Sequence, residues 1–132
     1  METAVMRKLV RQCLATMGIE HIDEAVGIFS ALKLLRGSRY DALIVEWGET
    51  GCEVVRAVRA SPSMRETPVI VITKDIGDET LIRIAESGAK EVLHKPHLPS
   101  LLPRKISEMF PAATIGERGM KIAMLLTEED ER

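Results

Sequence analysis

The chain has 132 residues, 45% of them hydrophobic, and a net charge of −2, which bounds it to one ordinary domain with a real core. Acids and bases are interspersed, so no basic surface suits it to nucleic acid, and aromatics at 3% exclude stacking platforms for single strands. No signal peptide and no apolar run of about 18 residues is present, so export and membrane spanning are not expected.

Val5, Leu9, Val10, Cys13, Leu14 and Met17 recur at helical spacing and Gly18 stops that helix. Residues 19–22 read as a short extended stretch. Ala25, Phe29, Leu32 and Leu35 form a second helical stripe, closed by Gly37. The continuous apolar run ALIV at 42–45 marks a strand buried on both faces. A helix over 51–60 turns Val54, Val55 and Val58 inward, and 61–68 is a loop. VIVIT at 69–73 is a second doubly buried strand. A helix over 78–87 turns Leu81, Ile82 and Ala85 inward and ends at Gly88; Asp75 and Asp78 read as its caps. A short strand over 91–96 is halted by proline, a helix follows over 98–110, and 111–119 reads as a linker. Residues 120–126 are one more apolar strand, followed by the acidic tail TEEDER.

Alternating helix and strand predicts a doubly wound α/β fold with a parallel sheet. Sites in that class gather at the carboxyl ends of strands, which singles out Glu46, Thr73, Lys95 and the acids after Leu126. Cys13 and Cys52 are far apart and lack metal-ligand spacing, so they read as reduced thiols of a cytoplasmic protein. His21, His94 and His97 lack acidic partners at ligand spacing and read as structural or surface residues. No glycine-rich phosphate loop follows any strand, which disfavours a nucleotide binder at this edge.

The stretch from Met6 to Phe110 resembles the receiver domain of two-component response regulators. VMRKLVRQCLATMG is similar to the first receiver helix, YDALIVEW to the third strand, PVIVITKD to the fourth, and GAKEVLHKP to the fifth with its Lys-Pro pair. The resemblance implies a five-stranded, flavodoxin-like sheet of order 2-1-3-4-5. It also implies phosphotransfer from a histidine kinase onto an aspartate, with Mg²⁺ held by an acidic pair. Thr73 would contact the phosphoryl group and Lys95 would pair with it.

Three positions depart from that pattern. Glu46 stands where the phosphoaccepting aspartate is expected, and its extra methylene displaces the oxygen from in-line attack. It either satisfies Lys95 after phosphorylation was lost, mimics a charged state, or keeps residual chemistry; the first two both predict a Glu46–Lys95 ion pair. Only WGET separates Glu46 from Gly51, a short loop that misplaces a carbonyl ligand for Mg²⁺. Val92 occupies the aromatic switch position. Trp47 is either a lid over Lys95 or an exposed partner-binding aromatic.

The resemblance also leaves a strand missing, since the family's first strand and its acidic pair should precede Met6. Residues 120–126, followed by Glu128 and Glu129, are similar to that strand and its acids. The expectation is one receiver-like domain over 1–132: elements 1–110, linker 111–119, and a permuted or exchanged central strand with acidic tail over 120–132. Nine linker residues reach about 30 Å. Closure within one chain, exchange in a domain-swapped homodimer, and 120–132 as the start of a second domain are all open.

The expected function is that of a pseudo-receiver without enzymatic activity, binding a protein partner independently of phosphorylation. Its binding residues would be Glu46, Trp47, Thr73, Lys95, Glu128 and Glu129. No cofactor is expected, and a weak or absent Mg²⁺ site would use Glu46, Glu128 and Glu129. The partner, a histidine kinase, phosphotransfer protein or effector, would meet the face built from 79–87, 91–94 and 98–110. The alternative is a phosphoryl-accepting, Mg²⁺-dependent receiver.

Overall fold

A computed structural model describes residues 3–127. Glu128 and Glu129, expected at the site, and the rest of the acidic tail, Asp130, Glu131 and Arg132, lie outside the described residues. Five parallel strands form one sheet: β1 (His21–Val26), β2 (Ala42–Glu46), β3 (Val69–Thr73), β4 (Glu91–His94) and β5 (Lys121–Leu126). Five α-helices cover it: α1 (Thr3–Thr16), α2 (Ile28–Gly37), α3 (Glu49–Ala60), α4 (Asp78–Ser87) and α5 (Leu98–Met109). None is long and apolar enough to cross a membrane.

The sheet order is β1-β5-β2-β3-β4. Numbered along this chain it is 1-5-2-3-4, not the 2-1-3-4-5 that the resemblance implies. β5 lies between β1 and β2, with Val26 opposite Leu126 on one side and Val45 opposite Leu125 on the other. Both pairings lie within the one chain described. A strand paired on both edges and covered on both faces must be apolar throughout, and Ile122 to Leu126 are all buried.

Alternation along the strands builds two cores. Ile44, Ile70, Ile72, Ile122 and Met124 meet Met6, Val10 and Leu14 of α1 and Leu98, Leu102 and Ile106 of α5. Leu43, Val45, Val71 and Leu125 meet Ala31 and Leu35 of α2, Val54, Val55 and Val58 of α3, and Ile84 of α4. The period of two in each strand sends neighbouring residues to opposite helical layers.

The chain corrects the sequence reading at five places. β1 extends to Val26, so Ala25 belongs to a strand and not to a helical stripe. Gly27, at φ 87°, then turns the chain into α2, where Phe29 is 86% exposed. On α1, Met6 is buried and Val5 exposed. On α4 the inward residues are Ile84 and Ser87, whereas Leu81, Ile82 and Ala85 face solvent; the Ser87 hydroxyl is satisfied by donating to the Ile84 carbonyl at 2.6 Å. Finally, 113–119 is a π-helical turn rather than an extended linker, and it drops Ile115 into the α1–α5 core.

Polar side chains fasten the amino end of the sheet. Asp41 accepts from the Lys121 amide at 2.8 Å and pairs with Arg118, fixing the entry to β5. Arg59 of α3 donates to the carbonyls of Gly88, Arg65 and Thr67, tying two loops to one helix. Tyr40 donates to Asp23 at 2.7 Å, and the Lys121 ammonium lies 5.2 Å from its ring centre.

Burial, reinforced by the hydrogen bond and charge of Asp23, pushes the Tyr40 phenol up to about 12, against a smaller opposing effect of Ser38. Tyr40 is the sole tyrosine, so tyrosinate absorbance reads it directly. The titration midpoint is expected near 12, and Asp23→Asn should move it part of the way back toward about 10. The fold holds the protonated phenol more tightly than the unfolded chain does. Its contribution to stability is therefore complete below about pH 10 and is lost as pH rises through about 12.

Candidate functional site

Four strand ends converge at the carboxyl edge of the sheet: Glu46 closes β2, Thr73 closes β3, Lys95 follows β4 and Thr127 follows β5. Parallel strands necessarily deliver these positions to one edge. The apolar strands beneath them leave the tips little contact with water; Glu46 and Lys95 are each 2% exposed, Thr73 4% and Thr127 2%.

The expected ion pair is present. Lys95 Nζ donates to Glu46 Oε2 at 2.7 Å, and the Thr127 amide donates to Glu46 Oε1 at 2.9 Å. One carboxylate thereby joins the ends of β2, β5 and the segment after β4. Two buried charges are tolerated only as a hydrogen-bonded pair, because each alone would carry a large desolvation cost.

The remaining predicted residues fall as follows. Thr73 faces its own loop: its hydroxyl donates to the Asp75 carbonyl at 3.0 Å and accepts from the Asp75 amide at 3.2 Å. Asp75 anchors that loop rather than capping α4, accepting from the Gly77 amide at 2.8 Å and the Thr80 hydroxyl at 2.6 Å. These bonds hold its carboxyl below the usual range, with the Thr80 bond the larger cause.

Trp47 is half-buried and packs on the α2–α3 core, so it is a wall of that layer rather than a fully exposed aromatic. Val92 packs against the same layer. His94 bonds the Lys74 carbonyl through Nε2 at 3.0 Å, and its ring centre lies 5.3 Å from that of His97. His21 is exposed on β1. Cys13 is buried, and burial pushes its thiol up; Cys52 is half-buried, and neither forms a disulfide.

Two contributors escaped the sequence reading. A Cβ on Gly51 would stand 2.3 Å from the Glu46 carbonyl oxygen, so only glycine lets the first turn of α3 rest on the tip of β2. The signal was a glycine in the first turn of a helix that directly follows a buried strand. The other is Thr127, which acts through its backbone amide and leaves no side-chain signature.

Among the described residues no group of three His, Cys, Asp or Glu side chains could hold a metal ion. Both oxygens of Glu46 already accept hydrogen bonds.

A parallel five-stranded sheet with a lysine and a threonine at its carboxyl edge defines a flavodoxin-like α/β domain of the signalling type. The response regulator receiver domain matches residues 2–107, and the chain belongs to that family. It is 29% identical over 110 residues to the chemotaxis protein CheY of Pseudomonas aeruginosa, covering 81% of this chain and 89% of that one. It is 26% identical to the chemotaxis protein CheY-3 of Vibrio cholerae, covering 81% and 85%. Among solved structures, the Vibrio cholerae chemotaxis protein CheY4 superposes with a TM-score of 0.71 at 27% identity, covering 80% of this chain and 90% of that one. The Mn²⁺-bound response regulator Rcp1 gives 0.74 at 19%, covering 86% and 92%, a likeness of fold.

Glu46→Gln removes the negative partner while keeping its shape, and should cost about 3 kcal/mol or more in urea unfolding because the Lys95 ammonium loses a buried counter-charge. The double replacement Glu46→Leu/Lys95→Met removes both charges and should recover most of that loss. About 1 kcal/mol should remain missing because the Thr127 amide loses an acceptor.

Proposed function

We propose that this receiver domain is a pseudo-receiver, signalling in a two-component system by binding a protein partner without a phosphorylation cycle of its own. The observation that carries the reading is the buried Lys95–Glu46 pair at 2.7 Å. A nucleophile must present a free oxygen aligned for attack, whereas the glutamate's two oxygens are held by an ammonium and an amide. The same engagement argues against strong Mg²⁺ binding at Glu46, since a cation would have to displace Lys95 from it. In this reading β5 stands where the family's first strand stands, a circularly permuted arrangement; its parallel pairing with both β1 and β2 supports this.

The binding face would be α4, β4 and α5. Leu81 and Ile82 on α4 are 37% and 57% exposed, beside Ile76 at 49%. Apolar side chains that escape the core on one helix suit a face that a protein covers. A histidine kinase, a phosphotransfer protein or an effector domain fits this face equally well.

Retention of Thr73 and Lys95 at the edge favours a second reading, a phosphoryl-accepting, Mg²⁺-dependent receiver. Titration with Mg²⁺, then with Mg²⁺ and beryllofluoride, separates the two through Trp47 fluorescence, with the mass after acetyl phosphate as a second readout. No saturable response and no added mass are expected. A saturable response with a phosphoryl adduct would establish the second reading and refute the first. Partner binding should persist without acetyl phosphate and be lost in Leu81→Glu/Ile82→Glu, whose unfolding curve should match the parent because both side chains already face water.

A further inference from the structure

The amino edge of the sheet, opposite the Glu46–Lys95 pair, holds a cleft of about 540 Å³, within the size range of small-molecule sites. It opens between the α2–β2 connection and the loop after α3. Its floor is apolar, made by Leu35 and Leu43, both buried, with Met64 at its side. Arg36 and Arg39 stand at its rim with Ser63 and Thr67 across from them, and no acidic residue among those described lines it.

Arg7, Arg11 and Arg118 each meet a carboxylate, and Arg59 is used up on three carbonyls. Among the described residues Arg36 and Arg39 have no carboxylate partner, and both are exposed. Arg56, Arg65, Arg83 and Arg104 are also exposed and without an ion pair among the described residues, so what separates Arg36 and Arg39 from ordinary basic surface is that they flank one cleft with no described acidic residue in its lining. Two guanidiniums over this hydroxyl-bearing cleft fit the oxygens of a phosphate group, which arginine forks bind through paired charge-assisted hydrogen bonds. The apolar floor suits a flat organic body attached to that phosphate.

We infer that this cleft is a binding site for an organic phosphate monoester, with Arg36 and Arg39 on the phosphate and Leu43 and Met64 under its body. It is independent of the carboxyl edge and of the partner face.

Adenosine monophosphate serves as the probe, followed by amide chemical shifts of the full chain. The expected result is saturable shifts confined to residues 35–40 and 63–67, with half-saturation below about 1 mM. Arg36→Gln/Arg39→Gln should weaken binding about tenfold or more, with its melting temperature unchanged because both side chains are exposed. The single variant Arg39→Gln gives the same test, more weakly, should the double variant fold poorly. Inorganic phosphate and adenosine should each bind about tenfold more weakly than the nucleotide. Absence of shifts at about 10 mM probe, shifts scattered over other surfaces, or affinity indifferent to the arginines would overturn the site. Inorganic phosphate binding as tightly as the nucleotide would overturn the role of the apolar floor, and with it the organic ligand.

Discussion

The fold rests on one constraint: its central strand is the last in sequence of the five that form the sheet. β5 is flanked by β1 and β2 and covered by helices on both faces. Every backbone donor and acceptor in such a strand must find a partner inside the protein. Without β5, the facing edges of β1 and β2 would lie unpaired in an apolar interior, and the two cores would each lose a wall. The polar work at the amino end follows from this requirement. Asp41 and Arg118 fix where β5 enters, and the π-helical turn over 113–119 uses Ile115 to press the approach against α1 and α5.

At the other end the same strand closes the site. Thr127, the first residue beyond β5, brings its amide to Glu46, which in turn holds Lys95 beyond β4. The pair is less a source of net stability than a device for register, since buried ion pairs roughly cancel their desolvation cost. A shift of β5 by one residue would both reverse its inward and outward faces and withdraw the Thr127 amide from the carboxylate. Electrostatics at the tip and hydrophobic pattern along the strand thus specify the same alignment.

Much of this was legible in the residues. ALIV and VIVIT carried no polar break and could only be doubly buried strands; Gly18 and Gly88 ended helices where backbone of positive φ was needed. The Glu46–Lys95 pair followed from the family resemblance, which set both residues at the carboxyl edge of the sheet. What failed had a physical cause in each case. HIDEAV hid a strand because its acids find partners outside it: Glu24 pairs with Arg7 and Arg11 of α1, and Asp23 accepts a hydrogen bond from the Tyr40 hydroxyl. Burial raises the Glu24 carboxyl, yet the two arginines outweigh it and leave the group lowered. On α4, Leu81 and Ile82 outweighed Ser87 in any count of apolar residues, although a serine bonded to its own helix packs inward at little cost. Backbone contributions, such as the Thr127 amide and the close approach at Gly51, leave little trace in side-chain chemistry.

The π-helical turn and the strand after it also set an order of events during synthesis. β1 pairs with residues about one hundred positions further along the chain. Before β5 emerges, the β2–β3–β4 part of the sheet can assemble, but β1 has no neighbour to join. The domain therefore cannot close until Leu126 has cleared the exit tunnel. Until then the nascent chain carries two exposed strand edges, the kind of surface that chaperones shield and that aggregation exploits.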